Sequence, residues 1–172
     1  LHLAQQGKVF GFEDQKPRAE LSVMHQRKKE IIAEFADYRS GQLQDGRFSL
    51  FRSMAKFLDA HTLELTDGKR LHADRFILAT GSKIAMPPIT GLDQVNFKTS
   101  DEVLELSETP EEVVVLGGGI VACELAQFLN RVGSKVTLLQ RSDRIVKDFP
   151  QQASLCVRDK FEKEGMIVKT GV

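Results

Sequence analysis

Three consecutive glycines, Gly117-Gly118-Gly119, follow the apolar run Val113-Val114-Val115-Leu116 and precede Ile120-Val121-Ala122. Gly117, Gly119 and Ala122 fit G-x-G-x-x-G/A, the pattern that holds a dinucleotide at a strand-to-helix turn. Each small residue has its own reason there. Gly117 permits the sharp turn, Gly119 lets a pyrophosphate approach the backbone, and Ala122 lets the helix pack close to the strand. The helix start then offers the phosphates unbonded N–H groups and a partial positive charge. A glycine-rich turn with no ligand is the plainer alternative. About 20 residues further on, where such sites choose the ribose, stands Leu139-Gln140-Arg141-Ser142-Asp143-Arg144, with Lys147 beyond. Gln140 is not an acid, so it does not repel a 2′-phosphate, and Arg141 can pair with one bidentately. The cations favour NADP over NAD, unless they are ordinary surface charge. Asp143 keeps NAD open, because a loop carboxylate can also reach a 2′-hydroxyl.

The other reactive side chains point to less. Cys123 and Cys156 form neither a disulfide framework nor a metal-ligand spacing. Both are expected in the core, Cys123 on the helix after the glycines and Cys156 on the apolar face of the next. His25 falls on a long helix, and His61 and His72 flank a hairpin without ligand spacing, so no metal site is expected. Glu124 is either a half-buried helix carboxylate or a partner for a lysine.

The elements that position the glycine turn follow from periodicity. Val113–Leu116 reads as a strand buried on both faces, Ile120–Val132 as a helix stopped by Gly133, and Lys135–Leu139 as the next strand. Asp148-Phe149-Pro150-Gln151 reads as a helix start with Asp148 as N-cap. That helix should turn Ala153, Cys156, Val157 and Phe161 inward and end at Gly165, before a strand from Met166. Strand–helix–strand–helix–strand implies a parallel sheet.

The first half is less regular. Leu1-His2-Leu3-Ala4 resembles the tail of a helix, broken at Gly7 and Gly11, and Glu13–Pro17 is a polar turn. Apolar residues Leu21, Met24, Ile31, Ile32, Phe35 and Tyr38 predict a helix from about Arg18 to Tyr38, ended by Ser40-Gly41. Within it, Arg27-Lys28-Lys29-Glu30 is read as a solvated face in preference to a basic patch. Thr62–Thr66 alternates as a half-buried strand, Asp67-Gly68 turns it, and Arg70–Asp74 returns. Phe76–Ala79 suits a strand buried on both faces. Pro87, Pro88 and Gly91 make an extended loop, and one helical turn is expected near Asp101–Leu106, where a domain boundary is placed.

Composition narrows the function classes. The 172 residues are 41% hydrophobic and 28% charged, with Lys plus Arg and Asp plus Glu each at 24. That is an ordinary globular composition, and a balanced charge gives no reason to expect nucleic acid or membrane as partner. No apolar run approaches the ~18 residues of a membrane span, and Leu1–Lys8 lacks the pattern of a signal peptide. The expected compartment is the reducing cytoplasm.

Taken in order, these segments resemble the pyridine nucleotide–disulfide oxidoreductases, which include dihydrolipoyl dehydrogenase, glutathione reductase and mercuric reductase. Ser53-Met54-Ala55-Lys56-Phe57 is similar to the family's G-x-A-x-F segment, and Ala79-Thr80-Gly81-Ser82 to its A-T-G segment. Thr99-Ser100-Asp101 is similar to the crossing between its domains, and Gly117 to Glu124 to its nucleotide fingerprint. The resemblance implies an α/β fold made of parts of two Rossmann-like dinucleotide-binding domains. Residues 1–108 would be the C-terminal part of an FAD-binding domain with a β-meander. Residues 109–172 would be the N-terminal part of an NAD(P)-binding domain with a βαβαβ order. It implies FAD held by Met54, Ala55, Thr80, Gly81 and Ser100. It implies NADP or NAD held by Gly117, Gly118, Gly119, Ile120, Val121 and Glu124, with Gln140, Arg141 and Lys147 on the ribose side. In such enzymes a nicotinamide passes hydride to FAD, and FAD reduces a disulfide pair. Ser53 departs from the usual glycine, and Ile120 stands where some members carry a tyrosine over the flavin, which leans away from glutathione reductase itself. The first FAD fingerprint and the C-x-x-x-x-C pair would lie upstream of Leu1, and a dimerisation domain with a His–Glu relay beyond Val172. The chain is then expected to hold no catalytic residue, to act with a small-molecule or disulfide substrate, and to form a homodimer at full length. A non-catalytic nucleotide-binding module, or a disulfide-free relative of NADH oxidase or ferredoxin reductase, are the alternatives.

Overall fold

The computed structural model describes Gly11 and residues 20–172. The expectations for Leu1–Lys8 and Glu13–Pro17 lie outside the described residues. The chain divides into two compact units, one of the residues up to Glu30 with Gly91–Val172, the other of Ile31–Thr90.

Within Ile31–Thr90, three short antiparallel strands stand in the order β1 (Ala55–Phe57), β2 (Thr62–Leu65), β3 (Arg70–His72). The alternation in β2 explains the sheet. Leu65 is buried, while Glu64 on the opposite side sits in register with Lys56 and Arg70 and pairs with both, at 3.1 and 3.4 Å. Asp67-Gly68 turns the hairpin as expected, with Gly68 at φ 84 and its N–H donating to the Leu65 carbonyl.

Two expectations for this region are corrected. The helix α1 (Leu21–Gln44) continues through Ser40-Gly41 to Gln44. A mid-helix glycine costs only about 1 kcal/mol, and Gln42 ties the turn together, accepting from Arg39 at 2.7 Å and donating to the Tyr38 hydroxyl at 3.0 Å. Its apolar residues Met24, Ile31, Ile32, Phe35 and Tyr38 are exposed and only Leu21 is buried, because a stripe is buried only where another element packs along it. Phe76–Ala79 is not a strand either. Ile77 is 94% and Leu78 72% exposed. A strand needs a ladder partner, and no described strand runs beside this segment. Only Phe76 finds cover, edge-on to Phe57 at 5.0 Å.

The other unit carries the parallel sheet. After the short α2 (Ser100–Val103) come β4 (Glu112–Leu116), α3 (Ile120–Val132), β5 (Lys135–Gln140), α4 (Gln151–Lys163) and β6 (Ile167–Thr170). The strands lie in the order β4-β5-β6, all parallel. Gly133 at φ 122 and Gly165 at φ 86 end the two helices in conformations that other residues adopt only with strain. The core joins Ala126 and Leu129 of α3, Phe161 of α4, and Val136, Leu138 and Val168 of the sheet. Both helices therefore cover one face of the sheet. On the other face Val114, Leu116 and Ile167 are exposed, so β4 is buried on one side and not on both as its apolar run suggested.

The helix start is also corrected. Pro150, not Asp148, is the N-cap of α4, and its carbonyl accepts from Ala153 and Ser154. The Phe149 N–H already donates to the Val146 carbonyl, closing a separate turn ahead of the helix. Ser154 lies on the buried stripe with Phe161, which rotates Cys156 outward; Cys156 is exposed, contrary to its expected core position. Lys28 is not merely solvated. Its ammonium donates to the Leu104 carbonyl at 2.6 Å and pairs with the Glu105 carboxylate.

Glu164, just past α4, pins the two helix ends together. It accepts from Arg131 through both carboxylate oxygens, at 3.0 and 2.7 Å, from Gln127 at 3.2 Å, and pairs with Lys160 at 3.1 Å. The Asn130 amide donates to its backbone carbonyl. The Arg131 hydrogen bonds dominate over the opposing burial and hold the Glu164 carboxyl down to about 2. Among the described residues, no helix is long and apolar enough to cross a membrane.

Candidate functional site

The glycine turn joins β4 to α3, and its three glycines stand in three different settings. Gly117 sits at φ 109, where a side chain is strained, and its N–H continues the ladder to the Leu139 carbonyl at 2.8 Å. Gly118 is buried. A Cβ there would meet the Ile145 Cγ2 at 2.8 Å and both the Ile145 Cα and the Gln140 Cγ at 3.2 Å. Gly119 is exposed and has ordinary backbone angles, φ −75 and ψ 177, and a Cβ there would meet nothing within 4 Å. The space beside Gly119 is thus open, although the backbone would accept a side chain.

Gly119 is also the N-cap of α3, with its carbonyl accepting the first helical bond from Cys123 at 3.0 Å. The N–H groups of the first turn have no partner within the helix. They sit at the positive end of thirteen aligned peptides. An open backbone cradle with free donors and no side chain fits a diphosphate, so the residues present suit a dinucleotide. Ile120 and Val121, beside those donors, are both more than half exposed.

The residues expected on the ribose side are placed by β5 and the loop after it. Gln140 ends β5, and its carboxamide oxygen accepts the Gly118 N–H at 2.8 Å, while its Nε2 donates to the Ser142 hydroxyl. Arg141 and Lys147 are exposed. Arg144 serves the loop itself, donating to the Lys147 carbonyl at 2.7 Å. The sequence reading missed Ile145 and Val146. Ile145 is fully buried under Gly118, and the Val146 N–H donates to the Gly118 carbonyl at 2.6 Å. Val146 pays for that bond with φ 41, a strained angle for a β-branched residue. No local pattern in the sequence announces it.

Cys123 lies directly below the turn, with its Sγ 3.7 Å from the Gly118 carbonyl. Burial, and to a lesser degree the charge of Glu124, pushes its thiol up to about 11, so it rests protonated and unreactive. Glu124 itself is exposed in the first turn of α3. Ser100 opens α2, where Thr99 and Glu102 form a capping box, with the Thr99 N–H donating to the Glu102 carboxylate at 2.8 Å. That bond is the main reason the Glu102 carboxyl is held below the usual carboxylate range.

In the Ile31–Thr90 unit, Met54 and Ala55 stand at the start of β1. Met54 is 81% exposed, and its carbonyl accepts from Thr66. Ser53, which replaces the expected glycine, accepts the Thr66 N–H at 3.1 Å. Thr80 and Gly81 lie on exposed coil, with Gly81 at φ 73. The structure therefore gathers Gly117–Val121 and Gln140 at one turn, with Arg141 and Lys147 on the loop that follows β5 and Glu124 near the start of α3, while Met54, Ala55, Thr80 and Gly81 belong to the Ile31–Thr90 unit. Among the described residues, no three His, Cys, Asp or Glu side chains converge as metal ligands.

The family profile described as pyridine nucleotide-disulphide oxidoreductase matches residues 7–172. The chain is 31% identical over 172 residues to mercuric reductase of Lysinibacillus sphaericus, covering 99% of this chain and 31% of that protein. It is 29% identical over 152 residues to dihydrolipoyl dehydrogenase of Bacillus subtilis, covering 87% of this chain and 33% of that protein. The fold superposes on the HOCl-induced flavoprotein disulfide reductase RclA of Escherichia coli with a TM-score of 0.80, at 22% identity, over 99% of this chain and 37% of that one. The chain thus spans about a third of the length of these relatives. A parallel βαβαβ sheet with its glycine turn, an antiparallel meander, and a profile running through both lead to one conclusion: the chain belongs to the pyridine nucleotide-disulphide oxidoreductases.

Proposed function

We propose that this chain supplies the nicotinamide-nucleotide site, and part of the flavin site, of an FAD-dependent NAD(P)H oxidoreductase. The single observation that carries the proposal is the open space at Gly119 beside the unbonded amides of α3. In this assignment residues 1–108 belong to the FAD-binding domain and 109–172 to the NAD(P)-binding domain. Gly117 and Gly118 shape the turn, the amides of Gly119–Val121 hold the diphosphate, Arg141 and Lys147 face the ribose, and Glu124 lies towards the nicotinamide. Met54, Ala55, Thr80, Gly81 and Ser100 belong to the flavin side. The bound cofactors supply hydride transfer from NAD(P)H to FAD, and the protein's share is to bind and orient them. The acceptor is a disulfide or a small molecule, the full-length enzyme is a homodimer, and its compartment is the reducing cytoplasm.

The test is made on the intact protein. It should purify with flavin absorption bands, and anaerobic NADPH or NADH should bleach them. A colourless protein that takes up no FAD overturns the proposal.

Nucleotide choice gives a sharper prediction. Arg141→Glu should weaken NADPH more than NADH by about 1–3 kcal/mol, the contribution of a charge-assisted hydrogen bond. Dissociation constants for the two nucleotides, measured by flavin or nicotinamide fluorescence, check this. An equal loss for both removes the 2′-phosphate from Arg141.

A further inference from the structure

Gln140 occupies the position from which a carboxylate reaches the ribose in many dinucleotide folds, yet here its side chain is turned elsewhere. Its Oε1 accepts the Gly118 N–H at 2.8 Å, and its Nε2 is spent on the Ser142 hydroxyl. Gly118 is gripped from the other side as well, since its carbonyl accepts the Val146 N–H at 2.6 Å. Ile145 fills the space where a Cβ would lie. Both backbone polar groups of the middle glycine are therefore committed to protein. The donors left for a phosphate are those from Gly119 onward, and their position depends on how Gly118 is held. The grip combines one side chain from the end of β5 with a loop that accepts a strained Val146 to complete it.

We propose that Gln140 is a positioning residue: its carboxamide latches the glycine turn through Gly118 and keeps the Gly119 cradle open, while choice of nucleotide passes to Arg141. This rests on the dinucleotide-binding role proposed above. A neutral latch is what permits that division. A glutamate in its place would accept the same N–H and hold the turn equally well, but it would bring a negative charge beside the ribose, where a 2′-phosphate sits.

The experiment uses the intact flavoprotein with Gln140→Met, which keeps the length but loses the acceptor, and Gln140→Glu, which keeps the acceptor and adds charge. Two readouts are taken. Amide hydrogen exchange of the peptide containing Val113–Glu124, without nucleotide, reports the latch alone. Dissociation constants for NADH and NADPH report its consequence. Gln140→Met should speed exchange in the turn at least 5-fold and weaken both nucleotides by a similar factor, about 5-fold each. Gln140→Glu should restore slow exchange and NADH affinity, while NADPH stays at least 10-fold weaker than in the wild type. Exchange in Gln140→Met that matches the wild type overturns the latch, whatever the nucleotides do. So does a loss in Gln140→Met confined to one nucleotide, because a latch acts on both. A wild-type protein that binds neither nucleotide refutes the dinucleotide role and leaves the exchange result to decide the latch separately.

Discussion

Gly119→Val should lower the affinity of the intact protein for NADH and NADPH by at least 100-fold while leaving the protein folded. The backbone at Gly119, φ −75 and ψ 177, suits any residue, and a Cβ there would meet no protein atom within 4 Å. The only expected structural cost is a poorer N-cap for α3, about 1 kcal/mol. The ligand suffers far more. A branched side chain would stand in front of the amides proposed to receive the diphosphate, and hydrogen bonds to a charged group are worth about 1.5–3 kcal/mol each. Losing two of them costs about 3–6 kcal/mol, more than the ~2.7 kcal/mol that corresponds to 100-fold. Gly118 provides the contrast, because an added Cβ would collide there with Ile145 and Gln140 and act on stability. Titration of nicotinamide fluorescence, beside a thermal melt of the same sample, separates the two effects. A Gly119→Val protein that binds both nucleotides as tightly as the wild type would remove the diphosphate from this turn.

Acid should release a second, unrelated contribution of similar size. Glu164 is held down to about 2 in the folded protein, against an ordinary 4.5, chiefly by its bonds to Arg131. A carboxyl whose pKa is depressed by folding stabilises the protein at pH above its unfolded pKa, and the effect fades as pH falls towards the folded value. The side chain is only 10% exposed, so solvent screens the pair weakly. The full difference corresponds to at most about 3 kcal/mol. The stability gap between wild type and Glu164→Gln should therefore be largest near pH 7 and close between about pH 5 and 2. Denaturant midpoints across that range measure it, and a gap that does not change with pH would mean that the ion pair contributes little.

Much of the parallel-sheet unit was legible because its signals are local. Apolar runs marked β4 and β5, and glycines at positive φ mark where α3 and α4 end and where β4 turns into α3. The parallel order then followed from the alternation of elements. The expectations that failed each depended on a neighbour. Phe76–Ala79 has the composition of a buried strand but no ladder partner among the described residues, so Ile77 and Leu78 are exposed. The stripe on α1 is present in the sequence, and its burial is not a property of the helix alone. Asp148 lost the N-cap to Pro150 because the turn from Val146 to Phe149 claimed the preceding backbone first. The site divides in the same way. Gly117, Gly119 and the charges at Arg141 and Lys147 could be read from spacing. The grip on Gly118 could not, since Ile145 and Val146 carry no periodic pattern and Gln140 was expected to face a ribose.

The two cysteines end up on opposite sides of a physical divide. Cys156 stands in solvent on α4, while Cys123 is sealed beneath the Gly118 carbonyl with its thiol at about 11. A thiol reagent thus meets one sulfur at once and the other only during moments when the roof above it lifts. The protein carries its own stopwatch for those openings, with an internal reference on the same chain.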